Sequence, residues 1–130
     1  MQWNLDNNTP IYLQIADKIK LGIIAGRYPP GSKIDSVRDF AEQTGVNPNT
    51  MQRALSKLES EGLLLTNRTT GKYVTEDREM IEKTKQTLAR QYIKDFLKNM
   101  ERMGFYAEEI ANLIQIEIGK GEQEDVYTGM

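Results

Sequence analysis

Asn47-Pro48-Asn49-Thr50 puts three short polar side chains around a proline at the start of an apolar-periodic run. Asparagine can hydrogen-bond bidentately to adenine, and the unpaired N–H groups at the start of a helix suit phosphate. Gln52, Arg53 and Lys57 follow on the outward side of the same run; the glutamine can read adenine, and the two cations suit either phosphate contact or a plain solvated face. Arg38 lies in a short run just upstream, where it could simply pair with Asp39 or Glu42. These side chains could hold a nucleic acid or, in Asn47–Thr50, be nothing more than a helix cap; nothing in them suits a reaction. The chain has no histidine and no cysteine, which removes the usual general base, the commonest metal ligand, thiolate nucleophiles and disulfides. There is no phosphate-binding glycine loop, metal-ligand cluster or base–nucleophile set, so neither an enzyme nor a cofactor is expected.

The elements that must position these residues can be read from periodicity. Ile11, Ile15, Ile19 and Ile23 repeat every four residues after Thr9-Pro10, a cap followed by a proline at the first helical position. The turn Tyr28-Pro29-Pro30-Gly31 ends that helix. Ser36 to Asp39 resembles a capping box and opens a short helix with Val37, Phe40 and Ala41 inward, closed near Gly45. Asn47-Pro48 opens a third helix whose buried face is Met51, Ala54, Leu55 and Leu58, stopped by Gly62. Two helices joined by so few residues make a helix-turn-helix, with the front of the second helix presented outward. Leu63–Thr66 and Lys72–Thr75 read as strands of a hairpin around Asn67 to Gly71, the wing.

Beyond residue 75 the pattern changes. A long helix is expected from about Glu76 to Arg102, with Ile81, Leu88, Tyr92, Phe96, Met100 and Met103 near one side, broken at Gly104. A second helix, from about Ala107 to Ile118, carries Ile110, Leu113 and Ile114, and 119–130 reads as a flexible tail. Seven residues after Leu88 stands Asp95, so a simple two-stranded coiled coil is not expected. Two helices have little core to share, and the same pair from a second subunit would supply the missing surface. The Tyr92–Met103 stripe could also line an effector pocket; methionine and aromatic residues at helical spacing more commonly form packing surface, which favours a homodimer interface. The fold class expected is mainly α with a small β-hairpin. Residues 1–75 form the winged helix-turn-helix, 76–118 the two-helix dimerisation domain and 119–130 the tail.

Three segments in order resemble the GntR family of bacterial regulators: Pro10 to Ile15, Pro30 to Ala41, and Gly45 to Thr50 with Leu58 to Leu63. The Asn47–Thr50 segment and the short C-terminal part resemble the YtrA subfamily, in which two helices serve for dimerisation. The resemblance implies DNA contact by Arg38 at the start of the helix-turn-helix, and by Asn47, Asn49 and Thr50 at the front of the recognition helix. Gln52 stands where many members carry a base-reading arginine. In the wing Arg68, Gly71 and Lys72 are retained, while Thr69 stands in place of a glycine and Thr66 and Asn67 in place of basic residues. A Cβ at Thr69 hinders close backbone approach to the minor groove. Asp35 replaces a proline of the family.

The charge distribution suits this division. The formal net charge is −2, but residues 1–75 hold nine Lys/Arg against seven Asp/Glu, and the rest hold eight against twelve. The basic excess sits with the helix-turn-helix. No run reaches the length of a membrane span and the N-terminus lacks a signal-peptide layout, so a cytoplasmic protein is expected. The function implied is a sequence-specific DNA-binding transcription regulator, a dimeric repressor on an inverted-repeat operator. The alternative is a winged-helix protein-interaction module that dimerises without binding DNA. Nothing in the sequence marks a small-molecule effector site.

Overall fold

Ile15, Ile19 and Ile23 are buried to 1% exposure or less, so the four-residue repeat does mark the inward face of the first helix, α1 (Ile11–Ile24). A computed structural model describes residues 3, 5, 6 and 8–128, and within it the chain divides into two units, Met1–Gln86 and Thr87–Met130. The element order is α1, α2 (Val37–Thr44), α3 (Pro48–Ser60), β1 (Leu64–Asn67), β2 (Gly71–Val74), α4 (Arg78–Arg102) and α5 (Ala107–Thr128). The expected class, mainly α with one small hairpin, is the observed one.

The first unit is built around one core. Phe40 and Ala41 of α2, Met51, Ala54, Leu55 and Leu58 of α3, and Leu63, Leu64 and Val74 of the hairpin close on the isoleucines of α1. Trp3 lies edge-on to Phe40, with ring centroids 5.8 Å apart, so the segment before α1 is fastened to the same core. The helix-turn-helix geometry comes from local chemistry. The Ser36 hydroxyl accepts from the Asp39 N–H at 3.1 Å, and Gly45 ends α2 in the left-handed region at φ 73°. Asn47 then caps α3, its Oδ1 accepting from the Asn49 N–H at 2.8 Å, with Pro48 in the first turn.

Three local details depart from the sequence reading. Pro10 is itself the N-cap of α1, and Thr9 makes no cap bond. The Gln14 side chain instead fastens the approach to the helix, donating to the carbonyls of Thr9 at 2.9 Å and Asp6 at 2.7 Å. The strands sit one residue off the expected runs, in an antiparallel register that pairs Leu64 with Val74 and Thr66 with Lys72. Residues 31–34 also run along β2: the Ile34 N–H donates to the Lys72 carbonyl at 3.0 Å and the Val74 N–H to the Ser32 carbonyl at 2.8 Å. The sequence reading placed a turn at Tyr28–Gly31 and assigned no strand partner to the residues after it.

The domain boundary also differs. Met80 and Ile81, in the first turn of α4, pack against the core of the first unit, which therefore reaches Gln86 instead of residue 75. Ile81, expected at a subunit interface, is thus partly covered by the core of the first unit. In the second unit Gly104, at φ 92°, ends α4, and the Tyr106 N–H donates to the Glu109 carboxylate at 3.0 Å to open α5. That helix runs to Thr128, where a flexible tail was expected from 119; residues 129 and 130 of that expectation lie outside the described residues. Gly119 and Gly121 each disfavour a helix by about 1 kcal/mol relative to alanine. Neither takes a positive φ, and the good helix formers around them, with Glu117 and Lys120 at 3.6 Å, carry the helix through.

Candidate nucleic-acid interface

The buried face of α3 fixes which side chains it can show. With Met51, Ala54, Leu55 and Leu58 inward, Asn47, Asn49, Gln52 and Arg53 are exposed and Thr50 is half-buried. Asn47 spends its Oδ1 on the cap, so its amide nitrogen is what remains to meet a ligand, whereas the Asn49 side chain is uncommitted among the described hydrogen bonds. The Gln52 amide donates to the Ser56 hydroxyl at 3.1 Å, one turn along the same outer face. Asn49, Thr50 and Arg53 line one hollow with Pro10, Ile11 and Tyr12 of the α1 entrance.

Arg53 stands over the Tyr12 ring, its guanidinium carbon 4.0 Å from the centroid. An aromatic face under a guanidinium both attracts it and limits its rotamers, which aims the charge outward. Tyr12 is thus a functional candidate that the sequence reading did not single out. Arg38, in the first turn of α2, is exposed, and among the described residues it joins no ion pair with Asp39 or Glu42.

The expected cations do not all remain available. Lys57 pairs with Glu61 at 3.1 Å, and Glu61 also holds Lys20 of α1 at 2.9 Å. Lys72, expected as a DNA contact, is engaged within the chain: its ammonium is bound by the Glu59 carboxylate and donates to the Thr66 hydroxyl at 2.9 Å, leaving the side chain 15% exposed. The reason is register, since Thr66 and Lys72 face each other across the hairpin on the side facing the last turn of α3. Arg68, at the tip, is exposed and in no such pair among the described residues. The tip itself is held by Asn67, whose Oδ1 accepts from the N–H groups of Thr69 at 2.9 Å and Thr70 at 3.3 Å. Gly71 has φ 116°, a conformation that calls for glycine; a Cβ there would meet only the flexible end of the Lys33 side chain, at 3.1 Å.

Burial by itself would raise the pKa of Glu59. The hydrogen bonds from Lys72 and Thr66, with the Lys72 charge, outweigh it and hold the carboxyl below its ordinary range. Glu61 behaves alike, burial being outweighed by Lys20 and Lys57. A carboxyl whose folded pKa is lowered contributes stability above its unfolded pKa and loses it as pH falls through the folded value. The melting temperature should therefore fall as pH drops from about 5 to about 3, and less so in a Glu59→Gln/Glu61→Gln variant. Equal slopes for the two proteins in thermal melts across that range would show that neither carboxyl is linked to folding.

The second unit offers a different surface. Among its described residues only Ile110, expected at the interface, is buried, at 3% exposure, so it is already packed within the chain. Tyr92, Phe96, Met103, Leu113 and Ile114 are 38–78% exposed together with Tyr106, and Leu88 and Met100 are half-buried. Phe96, Met100, Leu113, Ile114 and Ile118 line an apolar groove of about 510 Å³ with Glu117 at its side. Among the described residues no helix is long and apolar enough to cross a membrane, and no group of acidic side chains could hold a metal ion.

The family described as "Bacterial regulatory proteins, gntR family" matches residues 11–74, from the start of α1 to the end of β2. The uncharacterized HTH-type transcriptional regulator YhcF of Bacillus subtilis is 39% identical over 110 residues, covering 85% of this chain and 91% of that protein. The HTH-type transcriptional repressor YtrA of the same organism is 32% identical over 110 residues, 84% and 85% of the two chains. A GntR family transcriptional regulator from Listeria monocytogenes superposes with a TM-score of 0.80 at 39% identity, over 85% of this chain and 97% of that one. The DNA-binding domain of AraR, solved in complex with an operator, superposes with a TM-score of 0.52 at 26% identity, over 58% and 95%. With a winged helix-turn-helix in the matched segment and YtrA-type relatives along most of its length, the chain belongs to the GntR family of bacterial transcription regulators.

Proposed function

We propose that the protein is a cytoplasmic, dimeric repressor that binds an inverted-repeat operator. The observation that carries the reading is the front of α3, where Asn47 and Asn49 stand exposed above a face of four buried residues. A helix so presented can enter the major groove, with its N-terminal turn at the base edges. Asn49, Thr50 and Gln52 read bases, Asn47 caps and contacts phosphate, and Arg38 and Arg53 hold the backbone; Lys57, tied to Glu61, adds little. Arg68 supplies the wing's charge, and Gly71 keeps the wing's turn.

Dimerisation rests on the second unit, whose exposed apolar side chains leave it almost without a core of its own. Leu88, Tyr92, Phe96, Met100, Met103, Leu113 and Ile114 form the face between subunits, and two-fold symmetry of that face asks for a palindromic site. The repressor assignment is supported by the relative YtrA, an HTH-type transcriptional repressor. Selection from a random duplex library should enrich two half-sites in inverted orientation, about one helical turn apart centre to centre. Recovery of a single half-site would remove the symmetric dimer from the reading, and recovery of no sequence at all would favour a protein-docking winged helix.

A further inference from the structure

We infer that Glu59 determines specificity: its carboxylate keeps Lys72 from the DNA phosphates and ties both wing strands to the recognition helix, leaving Arg68 as the wing's acting cation. The inference rests on the operator-binding reading above.

Glu59 lies in the last turn of α3, at the opposite end from Asn47 and Asn49. From there it accepts from Lys72 of β2 and from Thr66 of β1, and Lys72 also donates to Thr66. Three elements meet in one charged cluster. Two of the three ammonium donors are thereby engaged, and the lysine stem is largely covered. To reach a phosphate, Lys72 would have to give up its ion pair with Glu59, leaving that carboxylate with the Thr66 hydroxyl and solvent. Arg68, three residues beyond β1's Leu65 on the exposed tip, meets no such cost.

The consequence concerns discrimination. Non-specific binding to DNA is almost entirely electrostatic, and each cation that neutralises a phosphate strengthens it on every sequence alike. A cation held inside the protein adds nothing to that background. The same cluster fixes the wing against α3, so the wing's approach is set by the helix that reads the bases. Glu59 is a positioning residue, acting through Lys72 and Thr66 without touching DNA.

The test is the salt dependence of binding by the full-length protein to its selected operator and to a scrambled duplex. Glu59→Gln, which releases Lys72, should steepen the log K against log salt slope by about 0.9 per subunit and tighten scrambled-duplex binding several-fold. The ratio of operator to scrambled affinity should fall correspondingly. Glu59→Gln/Lys72→Met removes the pair as a unit and should restore the wild-type slope, while Arg68→Ala should flatten it by about 0.9 per subunit. A merely structural role for Glu59 would alter affinity and leave the slope alone. An unchanged slope in Glu59→Gln overturns the inference, as does a double variant whose slope flattens like that of Arg68→Ala. If the single variant fails to melt cooperatively, the double variant decides by the same slope comparison. Wild-type protein that binds no duplex overturns the operator-binding reading and the inference together, whereas normal wild-type binding with an unmoved slope overturns the inference alone.

Discussion

Phe96→Asp with Leu113→Asp should turn the protein from a dimer into a monomer and abolish operator binding at concentrations where the wild type is saturated. Both side chains line the apolar groove of the second unit and are exposed in the single chain, so the substitutions cost that chain little. In the proposed dimer each carboxylate would have to be buried without a partner, at about 2 kcal/mol or more per site. Two-fold symmetry turns the two substitutions into four sites, and about 8 kcal/mol corresponds to a rise of roughly a million-fold in the dimer dissociation constant. Sedimentation equilibrium across micromolar concentrations reads the mass, and anisotropy of a labelled operator reads the binding. A variant that stays dimeric at wild-type affinity would place the subunit interface elsewhere. Ile110→Asp is no substitute, since Ile110 is buried within the chain and its loss would destabilise the hairpin of helices itself.

Arg38→Ala and Asn49→Ala should each weaken operator binding from roughly 30-fold to roughly 10,000-fold, as a lost contact of about 1–3 kcal/mol is counted once in each half-site. Neither change should disturb the fold. Arg38 is in no ion pair among the described residues, and the Asn49 side chain takes no part in the cap. The two should differ in kind: loss of Asn49 relaxes the base preference at one position of each half-site, while loss of Arg38 weakens all sequences and reduces the salt slope. Asn47→Ala would confound the comparison, because it removes the cap of α3 at a cost of about 1 kcal/mol in stability. Circular dichroism melts beside the affinity measurements separate the two effects. Wild-type affinity in both variants would mean that the DNA-facing surface lies away from the front of α3.

The sequence by itself determined the elements and the direction each one faces. Ile15, Ile19 and Ile23 at four-residue spacing, Ser36 and Asn47 as caps, Pro48 inside the first turn and Gly45 as the left-handed stop are local signals, each decided by backbone geometry within a few residues. They sufficed to put Asn47, Asn49 and Arg38 on an outer surface, because the inward face of a helix dictates the outward one. What only the tertiary structure decided was the partner of each long side chain. Lys72 and Arg68 look alike along the chain, yet strand register brings one to Glu59 and leaves the other at the tip. Tyr12 comes under Arg53 only because α1 and α3 pack together, and Ile81 turns to the first core instead of the second because α4 begins against it. Long, flexible side chains choose among contacts separated by tens of residues, and no periodicity within one element encodes that choice.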